Sequence, residues 1–459
     1  MAGGKYSLKP VRVPRVETPH RRIQTQLPVP ESLPILKDLG RYEPRSMQGQ
    51  PPIIWHRAAG FTVEDAWGNR WIDWSSGVLV TNVGHGHPRI CEAIRRMVDL
   101  PLVATYVFPH KTRADLAARL VEVSPDGIDK AFILSTGSEA VECAIKLART
   151  WGVKHVGPRK HVIVSFQNAF HGRTLGSQLA GGMQKLKDWI VRTDAGFAQV
   201  PFPDGYKNED TRFELFEESL AAQNVEPDSV AGVISETYQG VGPDFMPAEY
   251  AQALRRWCDE HGAVMIMDEV QAGFGRTGKM WGFEHYDIVP DLICCGKGIS
   301  SSLPLSAVLG RDDIMDQYAP GSMTSTHSGN PVCCAASLAS IDVLLEEGLI
   351  ENAARLDVPL RQGLTAIQEK HLDVVGCVQS LGLVGGLQMV HPGTKNPDSD
   401  LALRINEACF RKGLLMFAPV GVGGECIKIA PPLCITQDAL EEGIAVLAEA
   451  VDEAMASGR

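Results

Sequence analysis

A chain of 459 residues is too long for one ordinary core and implies two domains, or one large domain with additions. Hydrophobic residues at 44% and charged residues at 22% fit a soluble globular protein, and a net charge of −11 argues against a general nucleic-acid binder, whose footprint is basic. No apolar run approaches the ~20 residues that span a bilayer, so no membrane partner is expected. Eleven cysteines include the adjacent pairs Cys294–Cys295 and Cys333–Cys334, with no C-x-x-C and no Cys/His cluster at zinc spacing. The N-terminus shows no secretory apolar region, so a cytoplasmic protein with reduced thiols is expected.

Residues 1–50 are rich in proline and basic side chains: Lys5, Lys9, Arg12, Arg15, Arg21 and Arg22 face only Glu17 before residue 30. The prolines oppose an amphipathic presequence helix, leaving an arm draped over a partner subunit or a disordered tail. "GFTVEDAWGNRWIDWSSG" alternates around the Gly68–Asn69 turn and predicts a small β-meander. "AVECAIKLARTWG" has helical spacing closing on Gly152. "HVIVSF", "VAGVISE", "AVMIMDE" and "DLICCGK" are short buried-strand runs separated by helical lengths such as "PAEYAQALRRWCDEHG". That alternation predicts an α/β fold: a mostly parallel sheet with helices on both faces. Beyond Pro331 a long helical pattern leads into a C-terminal α+β segment. The expected division is an arm at 1–50, a small α+β domain from 51–100 with 335–459, and a large domain at 101–334.

Active sites in such sheets gather at the carboxyl ends of the strands. "AVMIMDEVQAGFGRTG" ends an apolar strand in Asp268 and Glu269, and a buried carboxylate needs a positive partner. Lys297 follows the strand "DLICC", while "LSTGSEA" places Gly137 and Ser138 at a helix N-terminus suited to a phosphate. A lysine, a carboxylate and a phosphate cradle are the parts that hold pyridoxal phosphate (PLP); the lysine forms a Schiff base and the carboxylate keeps the pyridine nitrogen protonated.

Six motifs in order, "STGSEAVECAIKLAR", "NAFHGRT", "MDEVQAGFGRTG", "GKGISSSLPLSAV", "STHSGNP" and "IAPPL", resemble the class III, fold type I PLP aminotransferases from about residue 50 to the C-terminus. The resemblance implies Lys297 as the Schiff-base lysine and proton shuttle, and Asp268 as the pyridinium partner. It places Val270 and Phe170 on opposite faces of the ring, Gln271 at the ring hydroxyl, and Ser135, Gly137 and Ser138 at the phosphate. Glu236 is placed with the cofactor, His171 beside the cofactor and lining the substrate pocket, and Val78 and Tyr106 at the substrate. Thr326 matches a residue that binds the neighbouring subunit's phosphate, which implies a homodimer with composite sites and leaves a tetramer open. Glu269 is expected to point away from Asp268 and act structurally.

Two positions depart from the family pattern. Many members read E-P-x-Q-G-E, with a last Glu that switches an Arg of R-x-A-P-P-L on and off a substrate carboxylate. Here "ETYQGVG" sets Val241 at the Glu and "CIKIAPPL" sets Lys428 at the Arg. Lysine keeps the charge but lacks the two-pronged fork. Lys428 either takes an anionic group as a point charge or snorkels to solvent. The expected reaction moves an amino group from an amine or ω-amino acid to a small 2-oxo acid such as pyruvate or glyoxylate. The alternatives are a lyase, epimerase or decarboxylase of the same family acting on one amino substrate, and a catalytically silent homologue.

Overall fold

The computed structural model describes residues 6–191 and 194–457, so Lys5 of the basic arm lies outside the described residues. The chain divides into two compact units, Pro88–Glu351 and a second made of Met1–His87 with Asn352–Arg459.

The Pro88–Glu351 unit is built on a seven-stranded sheet. Its strands are β1 (Lys130–Leu134), β2 (Val162–Phe166), β3 (Phe197–Val200), β4 (Val230–Glu236), β5 (Val264–Asp268), β6 (Leu292–Cys295) and β7 (Ser306–Gly310). They lie in the order β1-β7-β6-β5-β4-β2-β3. The β2, β3, β4, β5 and β6 pairings are parallel, and β7 runs antiparallel to both its neighbours. The connection from Cys295 to Ser306 is too short for a crossover, which forces β7 to return antiparallel. β3 and β7 escape the sequence patterns because "FAQV" and "SAVLG" are short and carry no turn signal of their own.

Helix α1 (Gly137–His155) packs its Ala140, Val141, Ala144, Ile145, Leu147 and Ala148 into the core with Ile163, Ile234 and Ile266. It does not stop at Gly152. A Cβ there would sit 2.4 Å from the Lys160 carbonyl oxygen and 3.1 Å from Ala231 Cβ, so the glycine permits close packing inside the helix and does not cap it. Helix α2 (Ala248–His261) does end as its sequence predicts, on Gly262 in the left-handed conformation, φ 58°. Helix α3 (Pro331–Glu346) packs against Pro88–Asp99 through Ala335, Ala93 and Met97. Those contacts carry residues 88–100 and 335–351 into this unit, against the division expected from sequence.

The second unit combines short strands with long helices. Val16–Glu17, Arg22–Ile23, Arg70–Asp73, Thr62–Glu64 and Arg57–Ala59 form a sheet in that order, with Leu414–Leu415 added beside Arg70–Asp73. The last three strands are the meander expected around Gly68–Asn69. Val375–Leu381, Val384–Met389 and Cys426–Ile429 form a second, antiparallel sheet. The described part of the N-terminal arm up to Val29 packs on its own unit. Tyr6 Oη donates to Asn406 Oδ1 at 2.7 Å, and Ile23, Leu27 and Val29 join Val63, Trp71 and Phe410 in one core. The strap is extended as far as Val29, after which the arm turns into the helix Leu33–Tyr42, where Pro34 sits in the first turn and costs no hydrogen bond. The eleven cysteines are free thiols, most of them buried. Among the described residues no helix is long and apolar enough to cross a membrane.

Candidate active site

The carboxyl ends of β4 and β5 set two acids side by side: Glu236 and Asp268 are register neighbours, and both are buried. Two buried carboxylates repel, so a cation or a proton must settle between them. His171 supplies the first partner, with Nδ1 donating to Asp268 Oδ2 at 2.8 Å. Burial works against the charged imidazole, but Asp268 and Glu236 outweigh it and hold the group above its ordinary value. Burial, reinforced by Asp268 and opposed by His171, pushes the Glu236 carboxyl up to about 7, so it holds a proton more tightly than an ordinary carboxyl. His171 is thus buried beneath Asp268, and with Phe170 and Gly172 it borders a small cavity.

Glu236 is also a backbone clamp. One oxygen accepts from Phe170 N at 3.0 Å and the other from Gly240 N at 2.7 Å. A Cβ at Gly240 would stand 2.1 Å from Gln271 Nε2, so the missing side chain makes room for that amide. Asp268 Oδ1 accepts from Val270 N at 3.1 Å, which turns the chain so that Val270 faces Gly137 and Gly296. A Cβ on Gly137 would lie 3.0 Å from Val270 Cγ1, tighter than an ordinary contact.

Lys297 occupies the turn after β6 at φ 43°, a left-handed position that a lysine adopts only under constraint. Desolvation lowers its amine below the ordinary value, against the upward pull of Asp268 and Glu236. Glu269, next to Asp268, points elsewhere. It accepts from Gly282 N at 2.6 Å and from Thr237 Oγ1, and burial pushes it to about 7.

Helix α1 opens with a capping box: Thr136 Oγ1 accepts from Glu139 N, and Glu139 Oε2 accepts from Thr136 N and Ser135 N. The T-x-x-E spacing signals that box in the sequence. Ser138 Oγ accepts from Arg173 N at 3.2 Å, and the Arg173 guanidinium lies 5.5 Å from the centre of the Phe170 ring. No sequence pattern points to that stacking.

The structure therefore brings Lys297, Asp268, Glu236, Phe170, His171, Val270, Gln271, Gly137 and Ser138 into one contiguous network of contacts, with Ser135 at its edge. Tyr106 and Thr326 sit on exposed loops, where Tyr106 Oη shares a hydrogen bond with Thr324 Oγ1 at 3.1 Å. Val78 and Lys428 belong to the other unit. Lys428 does not snorkel to solvent: it is buried on Cys426–Ile429, in register with Gly386. The network offers a desolvated amine, a buried carboxylate and a helix N-terminus whose glycine leaves a cradle against Val270. That donor set fits PLP.

The aminotransferase class-III family model matches residues 44–451. The 4-aminobutyrate aminotransferase of Mycobacterium leprae is 34% identical over 93% of this chain and 97% of that protein. An acetylornithine aminotransferase of Caldanaerobacter subterraneus is 32% identical over 88% of this chain and 95% of its own length. Among solved structures, a PLP-bound amine transaminase from an uncultivated Pseudomonas species superposes with a TM-score of 0.80 at 30% identity, covering 88% of this chain and 95% of that one. A family match over most of the chain and relatives above 30% identity place this protein among the class III aminotransferases, as a PLP-dependent transaminase of fold type I.

Proposed function

We propose that Lys297 is the covalent anchor for PLP and that the enzyme moves an amino group from an amine or ω-amino acid to a small 2-oxo acid. The observation that carries this is the desolvated Lys297 amine in a constrained turn, facing the buried Asp268. When bound, PLP holds the amino group between the two half-reactions and draws electrons from the substrate carbon.

The chain's own groups do the rest. Asp268, fixed by His171 and by Val270 N, offers a carboxylate to a protonated ring nitrogen. Val270 and Phe170 pack against the ring's two faces, and Gln271 meets its hydroxyl. The N-terminus of α1, with Ser135, Gly137 and Ser138, takes the phosphate. Lys297 Nζ, whose hold on a proton burial weakens, removes a proton from the substrate carbon and delivers it to the neighbouring atom. Thr326, on an exposed loop, reaches the phosphate of a second copy, so the active form is a cytoplasmic homodimer with composite sites. The relatives' name 4-aminobutyrate describes an amine remote from its carboxylate, which supports an ω-amino donor. With Val241 in place of a switch acid and Lys428 in place of arginine, the acceptor is pyruvate or glyoxylate in preference to 2-oxoglutarate.

The test is a single turnover with PLP-loaded protein and a panel of amines, without any oxo acid. Stoichiometric conversion of the bound cofactor to its amine form, reversed by pyruvate or glyoxylate, is expected. Persistence of the starting absorbance with ammonia accumulating would assign a lyase instead. Borohydride reduction followed by peptide mapping should place the cofactor on Lys297, and failure to trap it there would remove that assignment. An active, cofactor-loaded monomer in solution would refute the role given to Thr326.

A further inference from the structure

The turn that carries Lys297 holds two left-handed residues, Lys297 itself (φ 43°) and Ser301 (φ 51°). Neither has glycine's freedom, and such a backbone persists only where its surroundings over-determine it. The residues between them, Gly298, Ile299 and Ser300, are buried, as is Ser301. Their carbonyls therefore need partners inside the protein. The turn's own backbone bond, from Ile299 N to Gly296 O at 3.0 Å, serves none of them.

Serine hydroxyls supply the partners, and two of them stand on helix α3. Ser337 and Ser340 are three residues apart, hence on one face of the helix, and both are buried. Ser337 Oγ donates to the Ile299 carbonyl at 2.9 Å. Ser340 Oγ donates to Ser301 Oγ at 2.9 Å, and Ser301 Oγ donates to the Gly298 carbonyl at 3.2 Å. Within the turn, Ser302 Oγ donates to the Ser300 carbonyl at 3.0 Å, and Ser300 Oγ to that of Leu303. Helix α3 thus grips the chain just after Lys297 at two points, once directly and once through Ser301. The other buried residues of α3 are apolar, Cys334 among them. A buried hydroxyl costs free energy unless it is hydrogen-bonded, and both polar residues on this buried face direct their bonds to the lysine's turn.

We propose that Ser337 and Ser340 are positioning residues for Lys297: helix α3 fastens the turn through two buried hydroxyls, and the left-handed backbone held there fixes the direction from which the lysine amine approaches. The proposal rests on Lys297 as the covalent anchor and deepens that reading. With Ser337 truncated, the buried Ile299 carbonyl loses its donor; with Ser340 truncated, Ser301 loses the tie to α3. The turn then relaxes toward an ordinary backbone, and the amine leaves the desolvated position that suits it to move protons.

The holoenzymes of Ser337→Ala and Ser340→Ala test it. The pH midpoint of the bound cofactor's absorbance should rise by about 0.5–1 pH unit, since a nitrogen in a relaxed turn is less desolvated and takes a proton more readily. The kcat should fall roughly threefold to tenfold, the size of one lost hydrogen bond, with the KM for the amine unchanged. Ser340→Thr keeps a hydroxyl donor and should restore both readings, whereas Ser340→Cys, similar in size but a weak donor, should not. Hydrogen exchange over residues 296–305 of the cofactor-free protein should quicken in both alanine variants. An absorbance midpoint that stays at the wild-type value, even with faster exchange or a lowered thermal midpoint, leaves the serines a purely structural role and overturns the proposal. Borohydride that traps the cofactor away from Lys297 in the wild type would remove the anchor reading instead; the exchange rates, which need neither cofactor nor turnover, report on the clamp separately.

Discussion

Replacing Glu236 with glutamine removes a carboxyl that burial pushes up to about 7 from an ordinary 4.5. The folded carboxyl binds its proton more tightly than the unfolded one. Its contribution therefore favours the folded state fully below pH 4.5 and is lost as the pH rises through 7. Each pH unit of displacement is worth about 1.4 kcal/mol, so this one group costs the wild-type protein about 3 kcal/mol across that interval. Glutamine does not titrate, but it is an imperfect clamp. Glu236 accepts Phe170 N on one oxygen and Gly240 N on the other, whereas a carboxamide accepts on one side only and leaves an N–H unsatisfied, at about 1–3 kcal/mol. The variant should be the less stable protein at pH 5, and the gap should close or reverse by pH 8. Measured as thermal midpoints of the cofactor-free protein, the wild type should fall by roughly 3–6 °C relative to E236Q over that range. Glu269, also pushed to about 7, titrates in both proteins and cancels. Curves that run parallel at every pH would refute a proton-holding Glu236.

His171→Ala leaves the Asp268 carboxylate buried without its imidazole, and should destabilise the protein by about 3–5 kcal/mol in thermal unfolding. Gly137→Ala places a methyl 3.0 Å from Val270 Cγ1; the valine must shift, and a fluorescence titration should show PLP affinity reduced roughly tenfold. Lys428→Arg overpacks a buried strand position opposite Gly386, so unfolding should show a loss of about 1–3 kcal/mol while 2-oxoglutarate stays a poor acceptor in coupled assays. Gly262→Ala meets open space but keeps φ near 58°, so its cost is conformational alone, about 1 kcal/mol, readable as a lowering of the midpoint by roughly 1–2 °C.

The strands that end in Asp268 and Glu236, and the strand that precedes Lys297, were legible because buried parallel strands are continuous apolar runs and any polar residue at their end stands out. Helix α2 was legible through its αL glycine, whereas the same residue type at Gly152 misled, since a glycine serving close packing has the same letter as one serving a cap. The domain boundaries shifted because Ala93, Met97 and Ala335 pair across more than two hundred residues, a contact no local pattern encodes.

By itself, then, the amino-acid order determined the α/β architecture, the PLP chemistry and the lysine and aspartate at two strand ends, because these follow from short-range periodicity and from motifs that keep their spacing. Only the tertiary structure decided that His171 lies under Asp268, that burial raises the Glu236 carboxyl, that Lys428 is buried and that Ser76–Leu79 is wound left-handed. Each of those depends on which distant groups share a desolvated space, and desolvation is a property of the packed chain.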